Sequence, residues 1–417
     1  MSTLAQPMAV PATSSTRLFQ LLLGLIAMMS ISSPQYVWTL FTKSFQDGLG
    51  ATLPAIQITF SILIVLQTWL SPLQGYLVDK FGPRLLIAFG CALSGTGWIT
   101  SAYVKSLMGL YLTYGLFCGV GTGIVYVGII GLMVRWFPDR RGLATGIVAA
   151  GYGFGAILTT FPIDSMLKSA SYRHTLVMFG FILGIVGALA ALAMRMPRGD
   201  EKLPPAPIAA SVKDVAPPDM LKTKVFWLMF VMMTMMSTGG LMIISQFASF
   251  SRDFGVTKVA VFGLAALPLA LSIDRITNGL TRPFFGWVSD HIGRENTMTV
   301  AFLMEAAAVT SMVVLRDNTL LFVLLSGVVF FGWGEIFSLF PSTLTDTFGA
   351  KFSTTNYGFL YMAQGVGSVL GGPLAALLHD KTGSWLPVFA IIISMDVLTG
   401  ILALIALKPL RKSYAAT

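Results

Sequence analysis

Apolar stretches of bilayer-spanning length alternate with short polar segments along most of the chain. A helix needs about 20 predominantly apolar residues to cross the hydrocarbon core of a membrane. An open sheet would leave backbone groups unpaired in lipid, so we predict that these stretches are helices. The pattern predicts twelve spans, numbered 1 to 12, at residues 18–40, 54–76, 85–104, 107–134, 141–165, 175–195, 224–247, 258–287, 297–315, 319–345, 353–378 and 385–407.

The longest polar stretch lies in the middle of the chain, between spans 6 and 7. Its prolines and charged residues are typical of a flexible linker. The apolar stretch that begins at Leu18 is too long for a signal-peptide core, so we expect an uncleaved first span. The predicted organisation is a tail (1–17), a six-helix bundle (18–195), the linker (196–223), a second six-helix bundle (224–407) and a tail (408–417).

Composition supports an all-α integral membrane protein. Hydrophobic residues make up 55% of the 417 residues and charged residues 11%, with a mean hydropathy of +0.78. Soluble domains carry about 25% charged residues. Cys91 and Cys118 both lie in apolar stretches, so we expect buried thiols and neither a disulfide nor a metal site. We predict no cofactor.

The positive charges favour one orientation in the membrane. With both termini and the linker on one side, seventeen Lys and Arg residues lie on that side and eight on the other. The richer side is expected to be the cytoplasm, in a multi-pass protein of the inner (plasma) membrane. The net charge of +9 is spread over short loops and forms no single basic face, which argues against a nucleic-acid partner. Two basic residues, Arg275 and Arg282, remain inside span 8.

The two halves of the chain repeat each other. The segment GYLVDKFGPR (75–84) after span 2 aligns with GWVSDHIGRE (286–295) after span 8. Each half has an even number of spans, so the repeat is parallel about an axis normal to the membrane, as in one class of transporters. The candidate gating residues in these loops are Gly75, Asp79, Gly82 and Arg84, and Gly286, Asp290, Gly293 and Arg294.

Span 8 carries an unusual polar stripe. Arg282 and Arg275 are seven residues apart, so on a helix they lie about 20° from each other, with Asn278 and Asp274 on the same side. A charged residue at the bilayer centre costs at least about 2.5–3.5 kcal/mol and normally faces a cavity. A guanidinium can bind a carboxylate through two hydrogen bonds, which favours Arg282 as an anion anchor. For Arg275 and Asp274, structural ion pairs with other helices are an equal alternative.

The repeated loop, with twelve spans and a central linker, resembles the signature of the major facilitator superfamily. The segments QYVWTLF (35–41), RWFPDRRGLATGIVAAGYGFG (135–155), NGLTRPFFGWVSDHIGR (278–294), WGEIFSLFPS (333–342) and TTNYGFLYMAQGVGSVLGG (354–372) resemble the oxalate/formate antiporter family, which is allied to the monocarboxylate transporters. The resemblance implies two pseudo-symmetric six-helix bundles. It also implies contacts between the halves through Asp79, Arg84, Asp290 and Arg294.

The resemblance also assigns roles inside the membrane. In the monocarboxylate carriers an Arg-Pro pair on this span binds the anion, and Arg282 with Pro283 matches it. An aspartate works with that arginine in those carriers, but Asn278 stands at its position and cannot take up a proton. The oxalate carriers use a lysine on span 11, where this chain has Gln364. One cation suits a monovalent anion, so the sequence favours monocarboxylates and leaves oxalate-like dianions open.

Aromatic residues complete the predicted site. Tyr hydroxyls can donate to a carboxylate while their rings exclude water. We expect these residues to surround the substrate: Tyr36, Tyr126, Tyr152, Trp333, Phe337 and Tyr361. Asp274, Arg275 and Glu335 are candidates for proton coupling or for ion pairs with each other.

The leading hypothesis is a secondary carrier of small carboxylates such as formate, lactate or pyruvate, with oxalate as a further candidate. Transport proceeds by alternating access, either as anion exchange or coupled to protons. The alternative is a drug/proton antiporter of the same fold. An enzyme is not predicted, because His174, His291 and His379 lie at span ends and no metal or nucleophile cluster appears. Expected partners are a small carboxylate and the lipid bilayer, and the expected functional unit is a monomer.

Overall fold

The computed structural model describes residues 10–11, 14–198, 201–205, 213–256 and 259–416. Helices occupy nearly all of this part of the chain, in two groups of six spans. The first group comprises span 1 (Ser14–Ser30 and Ser33–Tyr36, followed by Trp38–Leu49), span 2 (Leu53–Trp69 and Ser71–Phe81), span 3 (Pro83–Ser101), span 4 (Leu107–Leu110, a π-helical stretch Tyr111–Phe117 and Cys118–Trp136), span 5 (Arg141–Ser169) and span 6 (Tyr172–Leu192).

The second group has the same order. It comprises span 7 (Lys224–Asp253), span 8 (Ala266–Ile292), span 9 (Arg294–Val314), span 10 (Thr319–Trp333 and Ile336–Phe348), span 11 (Ser353–Thr382) and span 12 (Leu386–Leu402, with a π-helical stretch Ala403–Leu407). In the described part of the chain, nine helices are long and apolar enough to cross a membrane. Span 2, bent by 50° at its break, makes a tenth. Span 3 and span 8, which carries four charged residues, are not among these ten.

Several boundaries differ from the sequence-based prediction. Span 8 begins at Ala266 instead of 258, because the preceding residues form a short antiparallel hairpin of β-strands Ala260–Val261 and Leu264–Ala265. The hairpin turns at Phe262 and Gly263, which both have positive φ angles. Its side chains are apolar, so composition alone does not separate it from a span.

The predicted C-terminal tail is also a helix, Lys408–Ala416. Arg411 holds it against the second group, since its guanidinium donates to Glu295 at 2.5 Å and to the Thr347 hydroxyl at 2.7 Å. The predicted tail is therefore attached to the bundle from Lys408 onwards.

The described parts of the linker are also attached at both ends. Glu201–Lys202 pairs in parallel with Val10–Pro11, and Arg195 donates to both carboxylate oxygens of Glu201, at 2.8 and 2.6 Å. These hydrogen bonds lower the pKa of Glu201 to about 2. At the other end, the backbone N–H of Val215 donates to the carbonyl of Phe348 at 2.8 Å. We call the side of the molecule that carries this linker the linker side.

The two halves pack with the same internal pattern and meet along two equivalent seams. Within the halves, span 1 packs on span 5 as span 7 packs on span 11, and span 3 packs on span 6 as span 9 packs on span 12. Between the halves, span 2 packs on span 11 and span 5 on span 8. The seams are therefore related by the parallel repeat in the sequence.

Glycines allow very close approach at these seams. Gly142 and Gly146 of span 5 lie directly against the backbone of Gly286 and Arg282 in span 8. At the other seam, Gly75 lies against the backbone of Thr354. Small residues permit such backbone contact between membrane helices, whereas any Cβ would push them apart.

A methyl group at Gly286 would overlap the backbone of Gly142. We expect Gly286→Ala to separate spans 5 and 8 and open the linker side. The reporter is a cysteine introduced by Ser342→Cys into a chain in which both native cysteines are replaced by alanine. Ser342 is buried, and its hydroxyl lies 3.2 Å from the hydroxyl of Thr145 in the other half. Maleimide should label it roughly tenfold faster, since overpacking costs about 1–3 kcal/mol.

Gly153→Ala is the matched control, because an added methyl group at Gly153 would meet no atom within 4 Å. It adds the same group to span 5, the helix that Gly286 contacts, and should leave the labelling rate unchanged. Equal labelling rates in Gly286→Ala and the unsubstituted parent would contradict the role assigned to this seam.

Candidate functional site

Arg282 lies in the middle of span 8 and turns its guanidinium toward the other half of the molecule. Its Nη1 donates to the backbone carbonyl of Ala149 in span 5 at 2.6 Å, and its Nη2 donates to the Asn278 side-chain oxygen at 2.9 Å. The side chain is 3% exposed, and its Nε has no hydrogen-bond acceptor. Within the described residues no acidic side chain forms an ion pair with it. Arg282 is therefore a buried positive charge held by neutral acceptors.

Three local features hold this guanidinium in place. Pro283 follows it inside the helix and removes a backbone donor from the hydrogen-bond ladder. The hydroxyl of Thr281 donates to the Phe331 carbonyl at 2.5 Å, which ties span 8 to span 10. The break in span 10 places the Phe337 ring under the guanidinium, 4.6 Å from its centre, a cation–π distance.

The predicted tyrosines form a continuous aromatic row that crosses between the halves. The ring of Tyr36 meets Tyr152 edge-on at 5.4 Å, and Tyr152 meets Tyr126 at the same distance. Tyr126 in turn stacks on Tyr361 of the other half, with 4.9 Å between the ring centroids and 16° between the planes. Tyr126 and Tyr361 also interact electrostatically with Arg282. The structure thus brings spans 1, 4, 5, 8 and 11 together around one point.

The sequence analysis overlooked three polar residues in this row. Gln67 of span 2 donates to the Tyr361 hydroxyl at 3.2 Å and accepts from Tyr152 at 3.5 Å. Tyr152 also donates to the Gln35 side chain at 2.6 Å. Tyr357, one turn before Tyr361, is buried, and its hydroxyl lies beside that of Tyr126. An amide inside an otherwise apolar span is a signal that could have identified Gln67.

Gln364 and Trp333 are placed less directly. Gln364 follows Tyr361 by three residues and so shares its helix face. Its side-chain oxygen is buried without a donor, and no direct contact with Arg282 is found in the described structure. The indole of Trp333 donates to the Met236 carbonyl at 2.8 Å and meets Phe337 edge-on at 5.8 Å. Trp333 therefore supports Phe337 and has no free donor of its own.

Among the residues that the structure describes, the ion pairs suggested for the other charged residues do not form. Asp274 turns toward span 10, where one oxygen accepts from the Ser326 hydroxyl at 2.9 Å and the other has no partner. Arg275 is exposed and makes no ion pair with Asp274 or Glu335. The reason is angular, because neighbouring residues on a helix point about 100° apart.

Glu335 belongs to a group of three fully buried carboxyl side chains, with Glu305 on span 9 and Asp396 on span 12. Within the described structure, none of their carboxyl oxygens has a hydrogen-bond partner. Burying a charged carboxylate without a partner is costly, so this environment favours the neutral form. Glu335 also interacts electrostatically with Arg282. A group able to hold a proton therefore lies within the electrostatic range of the buried cation.

The two repeated loops make equivalent contacts across the seams. Asp79 accepts from the backbone N–H of Thr355 at 2.8 Å and from its hydroxyl at 2.6 Å, at the start of span 11. Asp290 accepts from the backbone N–H groups of Gly142 and Leu143, both at 2.9 Å, at the start of span 5. Each loop carboxylate thus caps a helix of the opposite half, where the helix dipole favours negative charge.

Arginines extend these contacts, but Arg84 is not among them. Arg294 binds Asp290 at 2.6 Å and Asp346 at 2.8 Å, and Arg141 of the other half binds Asp346 at 2.5 Å. Arg84 is exposed and has no ion pair in the described part of the chain; Arg135 pairs with Asp79 instead.

Gly82 and Gly293 occupy equivalent turns with φ of 87° and 94°, which a residue with a side chain rarely adopts.

All of these contacts close the linker side. Within the described residues, every hydrogen bond and ion pair between the six-helix groups lies between the linker-side ends and the level of Gln67, Ala149, Arg282 and Tyr361. A cavity of about 680 Å³ between Val259–Phe262 and Asp317–Leu320 contains none of the candidate residues. The structure is therefore a state in which the halves are joined from the linker side as far as Arg282.

Comparison with known proteins gives consistent results. The sequence profile of the Major Facilitator Superfamily matches residues 21–274 and 266–416. The oxalate:formate antiporter of Oxalobacter formigenes is 37% identical over 380 residues, which cover 90% of this chain and 88% of that protein. Monocarboxylate transporter 13 of Bos taurus is 24% identical and covers 84% of this chain, with 79% of its own length aligned.

Two solved structures resemble the fold. The proton:xylose symporter XylE superposes with a TM-score of 0.74 at 13% identity, covering 95% of this chain and 97% of that one. The fucose:proton symporter FucP of E. coli gives a TM-score of 0.70 at 14% identity, with 94% and 98% covered. At such identities the likeness concerns the fold alone. Together the comparisons confirm the family resemblance, the twelve-helix fold class and the prediction of a transporter instead of an enzyme.

Proposed function

The chain belongs to the major facilitator superfamily, and on that premise we propose that it is a secondary carrier of small carboxylates. Its relatives support an organic anion as the cargo. Formate, lactate and pyruvate are the proposed substrates, and oxalate is the further candidate. We place Arg282 at the centre of the binding site, with the aromatic row around it.

The observation that carries this proposal is the missing counter-charge at Arg282. Its two hydrogen-bonded partners, Ala149 and Asn278, are both uncharged. A carboxylate can replace them and form two parallel, charge-assisted hydrogen bonds with the planar guanidinium. The low dielectric of the buried site makes that attraction far stronger than it would be in water. An anion is therefore the ligand that fits this site best.

The surrounding groups suit a small carboxylate. The Tyr357 hydroxyl lies beside that of Tyr126 and interacts electrostatically with Arg282, so it can turn to an anion as a donor. Phe337 covers one face of the guanidinium and leaves its edge for the ligand. Asn278 and Gln364 supply amide groups for a second oxygen or a hydroxyl. With a single buried cation at the centre, the site matches one negative charge best.

Binding at Arg282 is coupled to movement of the halves. Because Ala149 belongs to span 5, a carboxylate that takes its place removes one contact between the halves. Asp79 and Asp290 then hold the linker side until their bonds to the opposite helices break. We propose that the linker side is the cytoplasm of an inner-membrane protein, that both termini lie there, and that the carrier works as a monomer.

Two energy sources suit this geometry. In anion exchange, the entry of one carboxylate on Arg282 accompanies the exit of another, and no proton is needed. In proton symport, Glu335 is the candidate proton carrier, since its buried carboxyl, without hydrogen bonds in the described structure, favours the protonated form and interacts with Arg282. Formate uptake into liposomes with and without an imposed pH gradient separates the two, because only symport responds to the gradient when no counter-anion is inside.

A drug/proton antiporter of the same fold is less consistent with the site. Its cargo is cationic, and the unpaired charge of Arg282 would repel it. Uptake of a labelled lipophilic cation, compared with labelled formate in the same liposomes, separates the two functions.

Arg282→Gln should reduce carboxylate transport severely. The substitution removes the positive charge and the planar pair of N–H donors but keeps a polar amide. Hydrogen bonds to a charged group are worth about 1.5–3 kcal/mol each. We expect kcat/KM to fall at least about tenfold in a counterflow assay with formate, lactate, pyruvate, oxalate and malonate. Arg282→Lys, which keeps the charge without the fork, should fall between Arg282→Gln and wild type.

Arg316→Gln is the matched control, since Arg316 packs on Phe254 outside the candidate site and should transport normally. Normal counterflow of all five anions by Arg282→Gln would refute the proposed anchor.

Gln364→Lys should shift selectivity toward dianions. It adds a second cation to the helix face of Tyr361, and two cations suit two negative charges. We expect the ratio of oxalate to formate transport to rise about tenfold or more, given about 1.5–3 kcal/mol for a charge-assisted hydrogen bond. Gln46→Lys adds the same charge to the helix Trp38–Leu49, away from the site, and should leave the ratio unchanged. A ratio unaltered in Gln364→Lys would argue against charge matching as the basis of selectivity.

A further inference from the structure

Arg275 is the charged residue of span 8 that the proposed site does not use. It lies seven residues before Arg282 and is exposed. In the described part of the chain it forms no hydrogen bond and no ion pair. A guanidinium within a membrane span normally faces water, a ligand or a counter-charge. The direction of its side chain therefore decides what it does.

Helix geometry points Arg275 away from lipid. Four exposed apolar residues of span 8 form a stripe spaced by three or four positions, which we assign to lipid, and each is close to half exposed, at 47–49%: Ile276, Leu280, Phe284 and Trp287. Arg275 lies about 100–180° from these four residues around the helix. It lies within about 40° of Gly279, Arg282 and Gly286, which all contact span 5. Arg275 thus shares the face that looks toward the other half.

Span 5 no longer covers that face at the level of Arg275. Starting from the linker side, Gly286 contacts Gly142, Arg282 contacts Gly146, and Gly279 contacts the Phe154 ring. Arg275 is one turn further from the linker side. Span 5 is open beyond this level, since Leu158 and Phe161 are 64% and 77% exposed. The exposed guanidinium therefore borders the gap between the halves, on the side opposite the linker.

The nearest acidic groups are engaged elsewhere. Asp274 points about 100° away and accepts from Ser326. Asp164, near the end of span 5, is paired with Lys168 at 2.6 Å. The charge of Arg275 is thus available to a mobile anion.

We propose that Arg275 is a capture residue: it meets a carboxylate that enters from the side opposite the linker and passes it to Arg282. Seven residues of helix separate the two by about 10 Å along the axis, on one face. This inference rests on the proposed function and adds an entry step to it. An approaching dianion is attracted about twice as strongly as a monoanion at the same distance.

Arg275→Gln should weaken capture without altering the translocation step. In right-side-out vesicles, we expect the KM for external formate to rise about fivefold at low ionic strength, with kcat unchanged and a larger rise for oxalate. The difference should shrink at physiological salt, because the Debye length falls from about 30 Å at 0.01 M to about 8 Å at 0.15 M. Arg275→Lys should restore the wild-type KM.

Arg252→Gln is the control, since it removes one exposed positive charge from the end of span 7 and should leave KM unchanged. An equal effect of Arg252→Gln would mean that only general surface charge matters and would overturn the proposal. So would an unchanged KM in Arg275→Gln, or a failure of Arg275→Lys to restore it. These outcomes leave the proposed function intact. The proposed function itself fails only if the wild-type protein transports no carboxylate.

Discussion

The structure depends on one uncompensated charge. Arg282 is buried in the middle of the membrane region, and its two acceptors are a backbone carbonyl of the opposite half and an amide of its own helix. An acidic partner would neutralise the guanidinium permanently, so no unpaired positive charge would remain for an anionic substrate to bind. A neutral carbonyl holds it weakly enough for an anion to displace. Since that carbonyl belongs to Ala149 in span 5, the proposed binding of an anion would also release a contact between the halves.

The closed linker side follows from the duplicated sequence. Asp79 caps span 11 and Asp290 caps span 5, so each half holds the start of a helix that belongs to the other. Glycines at both seams bring the backbones close enough for these bonds to form. Many short polar contacts, each worth about 1 kcal/mol, can be exchanged one by one as the halves rock. A continuous hydrophobic seam would be harder to open, because its burial energy is lost all at once.

The sequence predicted those parts of the site that depend on spacing within one helix. Arg282 and Asn278 are four residues apart and do bond each other, and the tyrosines of glycine-rich spans do converge. Contacts between helices were less accessible. Ala149 acts through its backbone carbonyl, so its residue type gives no signal. Arg135 of span 4 pairs with Asp79, whereas Arg84, only five residues from Asp79 in the chain, does not. The apolar hairpin before span 8 has the composition of a membrane helix, so only its turn distinguishes it.

The most direct test of the account is a structure of the protein determined with a bound carboxylate, such as formate or oxalate. The measured quantities are the distances from the Arg282 guanidinium to the anion and to the Ala149 carbonyl. The account predicts two anion oxygens within about 3 Å of the guanidinium nitrogens and a broken bond to Ala149. An anion bound elsewhere, with Arg282 still bonded to Ala149 and Asn278, would contradict it.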